Sequence, residues 1–189
     1  MKTVIQAWVI LGVFLLALPA SADEQSEQQR AAYPPVQLAE VLDSVSKKSG
    51  RVFLTSARAP AEIIVGQVKV KDITYPTLLV ILANNGLAAV TIDDMTNIIR
   101  DATIRQHALP MLYEDDDSIA EFEWVNRIVE IQNGHAPQFV PLLRPLLPQM
   151  GHLVADGNSN TLVIAGRYGN TKRLVAMIKA MDERSVKRD

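Results

Sequence analysis

Three histidines and a pair of adjacent aspartates are the residues of this chain best suited to acid–base or metal chemistry. His107, His135 and His152 lie far apart, without the short spacing by which two histidines of one element bind a metal. Asp93 and Asp94 fall in a predicted hairpin turn, where adjacent side chains diverge and no third group positions them. No Gly-x-Ser-x-Gly nucleophile motif occurs. We therefore predict a non-enzymatic protein with no catalytic residue, no metal site and no cofactor.

Two short motifs resemble ligand-binding loops. Residues 114–117 supply four consecutive carboxylates but lack the alternating ligands and central glycine of an EF-hand, so we predict a solvated linker. Residues 166–169 match the GxxG spacing of the loop by which KH domains clamp nucleotides. In KH domains that loop joins two helices, whereas here it follows a predicted strand. We interpret it as a tight strand-to-helix turn.

The composition fits a globular chain and excludes several classes of protein. Apolar residues make up 48% of the sequence and charged residues 21%, which suits a packed core. With 19 Lys and Arg against 21 Asp and Glu, the chain lacks the basic surplus of domains that neutralise phosphates. It contains no cysteine, which excludes disulfides, thiol nucleophiles and cysteine-ligated metals. We therefore expect no nucleic-acid partner.

The first 22 residues have the pattern of a secretory signal peptide. Lys2 supplies the positive charge, residues 4–18 are apolar apart from Gln6 and Gly12, and small residues precede the expected cleavage site. We expect cleavage between Ala22 and Asp23. A transmembrane anchor is the alternative, but this apolar run is shorter than the ~20 residues that span a bilayer. The polar, Gln-rich segment that follows is expected to be a flexible tether.

Two α+β segments must position the remaining residues. In the first, apolar residues at helical spacing predict a helix from Leu38 to Gly50, and Thr74 is expected to cap a second, largely apolar helix that ends at Asn85. The predicted strands are residues 51–55, 63–71, 88–92 and 97–101. This segment therefore has the predicted order α-β-β-α-β-β.

The second segment, residues 122–182, has the predicted order β-α-β-β-α. Its first helix is expected to be short or kinked, because Pro141 and Pro145 remove backbone donors. Asn170 is the predicted N-cap of the final helix. The predicted strands are residues 124–131, 152–155 and 161–166. The predicted core residues are Leu142, Leu146, Leu162 and Ile164.

Three stretches of the second segment, taken in order, resemble a known family. They are residues 142–148, 151–156 and 159–164, followed by a helix that ends in Met181-Asp182. Together they resemble the pattern L-x-P-L, V-A-D-x-x-S-N-x-L-I-I and I-x-x-L-D of the ring-building domain of secretins. The first segment is similar to the N-terminal secretin domain, which is shared with signalling domains of TonB-dependent receptors. The resemblance extends over nearly all of the chain after the predicted signal peptide, and it is to type II secretion secretins.

The resemblance implies an α+β fold of two small domains. The first is a signalling-type secretin N-terminal domain, and the second is a KH-like, NolW-like βαββα ring-building domain. The expected boundaries are signal peptide 1–22, tether 23–35, N-terminal domain 36–112, acidic linker 113–121, ring-building domain 122–183 and tail 184–189. The family-motif residues of the turn and strand are Arg144, Gly157, Asn158, Ser159, Asn160 and Thr161. We expect these motif residues to serve folding.

The resemblance also implies a function in protein secretion. In the family the first domain docks on the inner-membrane platform, the second packs with its neighbours into a ring, and complete secretins continue into an outer-membrane channel domain, which we expect this chain to lack. The expected partners are a platform protein, a full-length secretin or both, together with copies of the chain itself in a ring. No small-molecule substrate is expected. The expected location is the periplasm, with association to the outer membrane through a secretin complex.

One predicted strand is the candidate partner site. Its residues, Val68, Lys69, Val70 and Lys71, alternate as in an edge strand, which can accept a partner strand, although the lysines could equally protect that edge from pairing.

Several alternative functions stay open. One alternative function is a TonB-receptor-like signalling module, which leaves the ring-building domain unexplained. Others are a remnant of a truncated secretin and a periplasmic hydrolase, for which no residue set stands out.

Overall fold

The computed structural model describes residues 33–185. The expected signal peptide, with its cleavage site at Ala22 and Asp23, lies outside the described residues, as do most of the tether and the last four residues. The described residues form two lobes, which we define by their sheets: the first lobe is residues 36–106 and the second is residues 111–185. The mixed α+β class is confirmed, while the expected domain boundaries stay a prediction.

The first lobe contains two small sheets and two helices. Its three-stranded sheet has the order β2-β5-β4, with β2 parallel to β5 and β4 antiparallel to it, while β1 and β3 form a separate antiparallel pair. Its elements are β1 (Val36–Gln37), α1 (Leu38–Ser49), β2 (Val52–Thr55), β3 (Glu62–Ile63), α2 (Tyr75–Asn84), β4 (Leu87–Ile92) and β5 (Met95–Arg100). Short 3-10 helices occupy Val70–Asp72 and Asp101–Gln106.

Both predicted helices of the first lobe are confirmed. The four apolar residues of α1 at helical spacing are all buried, and the helix ends at Gly50, whose positive φ of 70° suits glycine. The Thr74 hydroxyl accepts the Thr77 N–H at 3.4 Å, as an N-cap should. At the end of α2, the Asn85 side chain accepts the N–H of Ile64 and donates to its carbonyl oxygen, both at 2.9 Å.

The predicted strand over residues 63–71 is wrong beyond Ile63. Gly66 adopts a left-handed φ of 69°, which ends the extended backbone, and Val70–Asp72 is a 3-10 helix. The carbonyl groups of this segment bind α1 side chains instead of a strand: Ser44 donates to the Val70 oxygen at 3.1 Å, and Lys48 donates to the Lys71 oxygen. The alternation of valine and lysine therefore does not mark a sheet edge.

The second lobe is a four-stranded sheet with two helices on one face. The sheet order is β6-β7-β9-β8, with β6 parallel to β7 and the other pairs antiparallel. Its elements are β6 (Met111–Leu112), β7 (Trp124–Glu130), α3 (Ala136–Leu143), β8 (His152–Asp156), β9 (Thr161–Arg167) and α4 (Tyr168–Ser185). From β7 onward the observed order is the expected β-α-β-β-α. Helix α3 is short, as expected, and continues as the 3-10 helix Arg144–Leu146.

Two core predictions in the proline-rich segment are wrong. Leu142 and Leu146 are exposed, whereas Leu143 and Leu147 are buried. Phe139, Leu143 and Leu147 recur every four residues and form the buried face, so Leu142 and Leu146 lie on the neighbouring, exposed stripe of the same segment. The other two predicted core residues, Leu162 and Ile164, are fully buried.

The predicted N-cap of the last helix is also wrong, because α4 begins at Tyr168 instead of after Asn170. The end of the linker and the residues that follow it cap this helix: the N–H of Tyr168 donates to the Glu123 carbonyl at 2.7 Å, and the N–H of Gly169 donates to the Glu121 carbonyl at 2.9 Å. Backbone groups of a distant segment therefore satisfy the helix start.

A separate apolar cluster joins the two lobes. Trp124 of β7 packs against buried side chains of the first lobe and of the residues that follow it, namely Ala88, Val90, Ile99, Ile104 and Leu109. None of the helices within residues 33–185 is long and apolar enough to cross a membrane.

Candidate interaction site

The predicted partner-binding residues lie on the surface of the first lobe but do not form a strand. Val68, Lys69 and Lys71 are exposed, while Val70 is half-buried against the core of the lobe. They can contact a partner through their side chains, but they offer no extended backbone edge. Partner binding at these four residues stays a prediction.

Asn160, a family-motif residue, fixes the loop between β7 and α3. Its φ of 51° lies in the left-handed region, which asparagine tolerates better than most residues. Its amide donates to the carbonyl oxygens of Ile131 at 2.8 Å and Gly134 at 3.0 Å, and its side-chain oxygen accepts the Ala136 N–H at 2.8 Å. One side chain thus satisfies three backbone groups of a single loop.

Asp182 binds the same loop from α4. Its carboxylate accepts the backbone N–H groups of Gln132 at 2.8 Å, Asn133 at 3.0 Å and Gly134 at 2.7 Å. Burial acts to raise the pKa of this carboxyl group, but the three N–H donors and the Asn133 side chain hold the pKa below its ordinary value. Asp182 is therefore a buried carboxylate that accepts the hydrogen bonds that these three backbone amides would otherwise donate to water.

The remaining motif residues shape the hairpin between β8 and β9. The Asp156 carboxylate accepts the Ser159 hydroxyl at 2.6 Å and the Asn158 N–H at 3.1 Å, and these bonds lower the pKa of Asp156. Ser159 also shares a hydroxyl hydrogen bond with Thr161 at 2.7 Å. Gly157 lies in the same turn. Arg144 begins the 3-10 helix and is half-buried. These hydrogen bonds of the turn all lie within residues 156–161.

The acidic linker is anchored to the second lobe, although its carboxylates are exposed as expected. Arg127, a buried residue of β7, donates to the Glu114 carbonyl at 2.6 Å and to the Asp115 carboxylate at 2.8 Å. The Asp116 N–H donates to the buried Tyr168 hydroxyl at 2.6 Å. The linker carboxylates are therefore solvated, while its backbone is held to the second lobe at Glu114 and Asp116.

Gly169 of the GxxG motif lies directly under the linker. A Cβ atom at this position would overlap the Glu121 carboxylate, which also forms an ion pair with Lys172. The motif thus serves as the strand-to-helix turn that the sequence predicted, with the linker packed against it. The three histidines are separate from this region, and within residues 33–185 no group of histidine and carboxylate side chains could hold a metal ion.

The junction between the lobes contains a half-buried carboxylate. Glu123 and Tyr75 line the same small cavity together with Trp124. Burial raises the pKa of Glu123, against the opposing effects of the Tyr75 hydroxyl and the Arg51 cation. Burial and Glu123 together raise the pKa of Tyr75, while Arg51 lies 4.0 Å from the centre of its ring. The first lobe therefore contacts the residues at the start of β7 through ionisable groups as well as apolar side chains.

Sequence reasoning missed Arg127 and Glu123, and it saw Asp182 only as part of a family pattern. A positive charge inside the β-branched run of β7 was the available signal for Arg127, because such a cation needs a partner when the strand is buried. No comparable signal marks Glu123, whose environment depends on how the two lobes pack.

Comparison with known proteins extends these observations. Residues 126–186 match Secretin_N, the bacterial type II/III secretion system short domain. Secretin XcpQ of Pseudomonas aeruginosa is 26% identical over 148 residues, covering 77% of this chain and 21% of that protein. Secretin PulD of Klebsiella pneumoniae is 27% identical over 173 residues, covering 89% of this chain and 26% of that protein. This chain therefore spans about a quarter or less of the length of these relatives.

A solved structure shares the fold. The Klebsiella pneumoniae type II secretion system outer membrane complex, which contains PulD, PulS and the PulC HR domain, superposes with a TM-score of 0.64. The superposition covers 80% of this chain and 26% of the solved chain at 23% identity. The resemblance stated from the sequence is confirmed: this chain is similar to the N-terminal region of type II secretion secretins, and most of its second lobe matches the Secretin_N model.

Proposed function

We propose that this protein is a non-enzymatic periplasmic component of a type II-like secretin system. In this proposal the first lobe binds an inner-membrane platform protein, and the second lobe is a KH-like ring-building domain that binds further secretin chains. Association with the outer membrane goes through the secretin complex. The Secretin_N match and the secretin relatives support this proposal.

The observation that carries the proposal is a pair of surfaces on opposite sides of the second lobe, a partly apolar groove and an apolar sheet face. On the helical side, a groove of about 360 Å³ is lined by the apolar Phe139, Leu142 and Met181 and by the polar Gln138, Arg184 and Ser185. On the opposite sheet face, the exposed Val154 of β8 lies beside Val163 of β9, which in turn lies beside Ile128 of β7. Neither surface is covered within residues 33–185.

These two surfaces suit a repeated contact between copies of one domain. The groove of one copy can receive the sheet face of the next, and burying apolar side chains on both sides favours association. A contact between two different surfaces of the same domain repeats from copy to copy, which gives a ring when the rotation closes. The occupant of the groove is therefore the second lobe of another chain of this type.

In-cell photo-crosslinking tests this contact. A photoreactive residue in place of Leu142 is expected to capture the β8 side of a neighbouring secretin-type chain, and one in place of Val154 is expected to capture the α3 side. Glu40, exposed on α1 of the first lobe, is the matched control position. If neither second-lobe position captures a secretin-type chain while the variants remain folded, the proposed assembly is wrong.

The first-lobe partner is tested separately. The solved complex of the similar secretin PulD also contains PulS and the PulC HR domain, which motivates the expectation of a platform partner. A photoreactive residue at the exposed Val68 should capture an inner-membrane secretion protein. Capture of an anti-sigma factor or a TonB-type protein instead would favour the signalling alternative.

A further inference from the structure

Strand β2 forms an uncovered edge of the three-stranded sheet. Within residues 33–185, β2 pairs only with β5, and nothing pairs with its outer side. Its residues Val52 and Leu54 are 54% and 42% exposed, which is high for apolar side chains in a sheet. The strand contains no proline and no charged residue, the usual means by which proteins protect an edge from pairing.

An apolar row continues from β2 across the sheet. Val52 lies opposite Met95 of β5, which lies opposite Ile92 of β4, and all three side chains are exposed. This row lies on the sheet face away from the helices of the first lobe. On that face Trp124, Ile104 and Leu109 pack against Ala88, Val90 and Ile99, whereas Val52, Met95 and Ile92 stay exposed. We call Val52, Leu54, Ile92 and Met95 the edge patch.

The backbone of β2 is available for pairing. Ser56 donates its N–H to Ile98 of β5 at 3.2 Å, and the backbone groups of a parallel strand alternate between its two sides. The N–H and C=O groups of Phe53 and Thr55 therefore point to the open side. A strand that adds at this edge gains backbone hydrogen bonds and covers the edge patch.

Opposite charges lie at the two ends of β2. Arg58 and Arg100 are exposed at its C-terminal end, where the Arg100 Nε donates to the Arg58 carbonyl at 3.2 Å. Asp93 and Asp94 are exposed at its N-terminal end, in the turn that precedes Met95. None of these four side chains takes part in an ion pair with residues 33–185.

Three further cations precede the N-terminal end of β2, but each is engaged elsewhere. Lys47 forms an ion pair with Asp43, and Lys48 donates to the carbonyl oxygens of Lys71 and Ile73. Arg51 stacks on the Tyr75 ring, on the helical side of the sheet, and it is half-buried. At the C-terminal end, Asp101 follows Arg100 but is half-buried and interacts with Arg167. In the described part of the chain, the exposed, unpaired charges that flank the edge patch are therefore acidic at its N-terminal end and basic at its C-terminal end.

We infer that β2 pairs with β2 of a second copy of this chain, antiparallel, about a two-fold axis near Phe53. Antiparallel pairing sets the arginine end of each copy against the aspartate end of the other, whereas parallel pairing would set like charges together. The contact is self-complementary, as a two-fold interface requires. It uses only the first lobe, and it does not rest on the second-lobe contact proposed above.

A charge-swap experiment on the purified protein tests this pairing by sedimentation equilibrium over a range of protein concentrations. The wild type is expected to dimerise. The double variant R58E/R100E is acidic at both ends of β2 and D93K/D94K is basic at both, so each should self-associate at least about tenfold more weakly. An equimolar mixture of the two variants should restore the dimer, because each supplies the charge that the other needs.

Two controls keep the outcome specific. Lysines are strained at the left-handed Asp93 and Asp94, so circular dichroism must show that this variant is folded, and D93N/D94N should weaken the dimer without reversing charge. L142E, on the second lobe, should leave the dimer intact. A wild type that is monomeric at all concentrations, or variants that fail to bind each other, would overturn the inference. Loss of the dimer in L142E alone would also overturn it.

Discussion

Asp182 and Asn160 bind the two backbone polar groups of one residue, Gly134. The Asp182 carboxylate accepts the Gly134 N–H at 2.7 Å, and the Asn160 amide donates to the Gly134 carbonyl oxygen at 3.0 Å. A Cβ atom on Gly134 would lie 3.2 Å from the Phe139 ring, so the loop is also tightly packed. Two residues of the secretin pattern therefore act on the fold through one loop.

Replacement of Asp182 by alanine should destabilise the protein strongly. It would leave three backbone amides of the β7–α3 loop without the buried carboxylate that accepts them, at a cost on the order of 2–4 kcal/mol in the free energy of unfolding. Urea denaturation at neutral pH measures this difference. D182N, which keeps one acceptor oxygen but no charge, should lose less than D182A. Equal stability of D182A and wild type would contradict the assigned role.

The contribution of Asp182 should depend on pH in a defined direction. Because the pKa of this carboxyl group is lowered in the folded state, the charge contributes stability above the unfolded pKa of about 3.9. That contribution is lost as the pH falls through the folded value. The difference between wild type and D182N should therefore shrink at acidic pH. A difference that stays constant down to acid unfolding would argue against a stabilising charge.

Asn160 should tolerate glycine better than alanine. Both substitutions remove the three side-chain hydrogen bonds, but glycine adopts the left-handed φ of 51° freely whereas alanine is strained there. We expect N160A to be less stable than N160G by about 1 kcal/mol, measured by thermal or urea unfolding. Asn158, in the neighbouring hairpin turn, provides a control position for the loss of an exposed asparagine. If N160A and N160G unfold with the same free energy, the left-handed backbone conformation of residue 160 contributes little to stability.

The sequence predicted elements well where local pattern and tertiary packing agree. The apolar spacing of α1 coincides with its buried face, and Gly50 ends the helix as expected. The alternation of residues 68–71 failed because the backbone bonds of that segment go to α1 side chains, which no local pattern reveals. The role of Arg127 could not be derived because it depends on where the linker lies, and that of Glu123 could not because it depends on how the two lobes pack.

The proline-rich segment offers a matched pair for testing its corrected register. Leu143 is 1% exposed and its neighbour Leu142 is 59% exposed. L143A should lower the free energy of unfolding by on the order of 2–5 kcal/mol, because it leaves a cavity in the core. L142A should change it by less than about 0.5 kcal/mol. The reverse ranking in urea denaturation would restore the original helical register.

Removal of the Tyr168 hydroxyl should loosen the linker. In Y168F the Asp116 N–H loses its acceptor, so this amide should exchange with solvent about tenfold faster, since losing one hydrogen bond costs roughly 1 kcal/mol or more. Hydrogen exchange followed by mass spectrometry measures the change in residues 114–118. Y113F is the matched control, because the Tyr113 ring is exposed and its hydroxyl contacts only the Met111 sulfur. Unchanged exchange in Y168F would show that the Tyr168 hydroxyl does not hold this part of the linker.

Neutralising Glu123 should stabilise the junction between the lobes. Burial raises the pKa of this carboxyl group in the folded state, so stability falls as the pH rises from the unfolded pKa of about 4.3 through the folded value. E123Q removes the charge and keeps an acceptor oxygen, so it should raise the melting temperature at pH 7 and lose this advantage below the unfolded pKa. E121Q is the control, because Glu121 is exposed and paired with Lys172 and should give no such gain. A lower melting temperature for E123Q at pH 7 would mean that attraction to Arg51 outweighs the cost of burial.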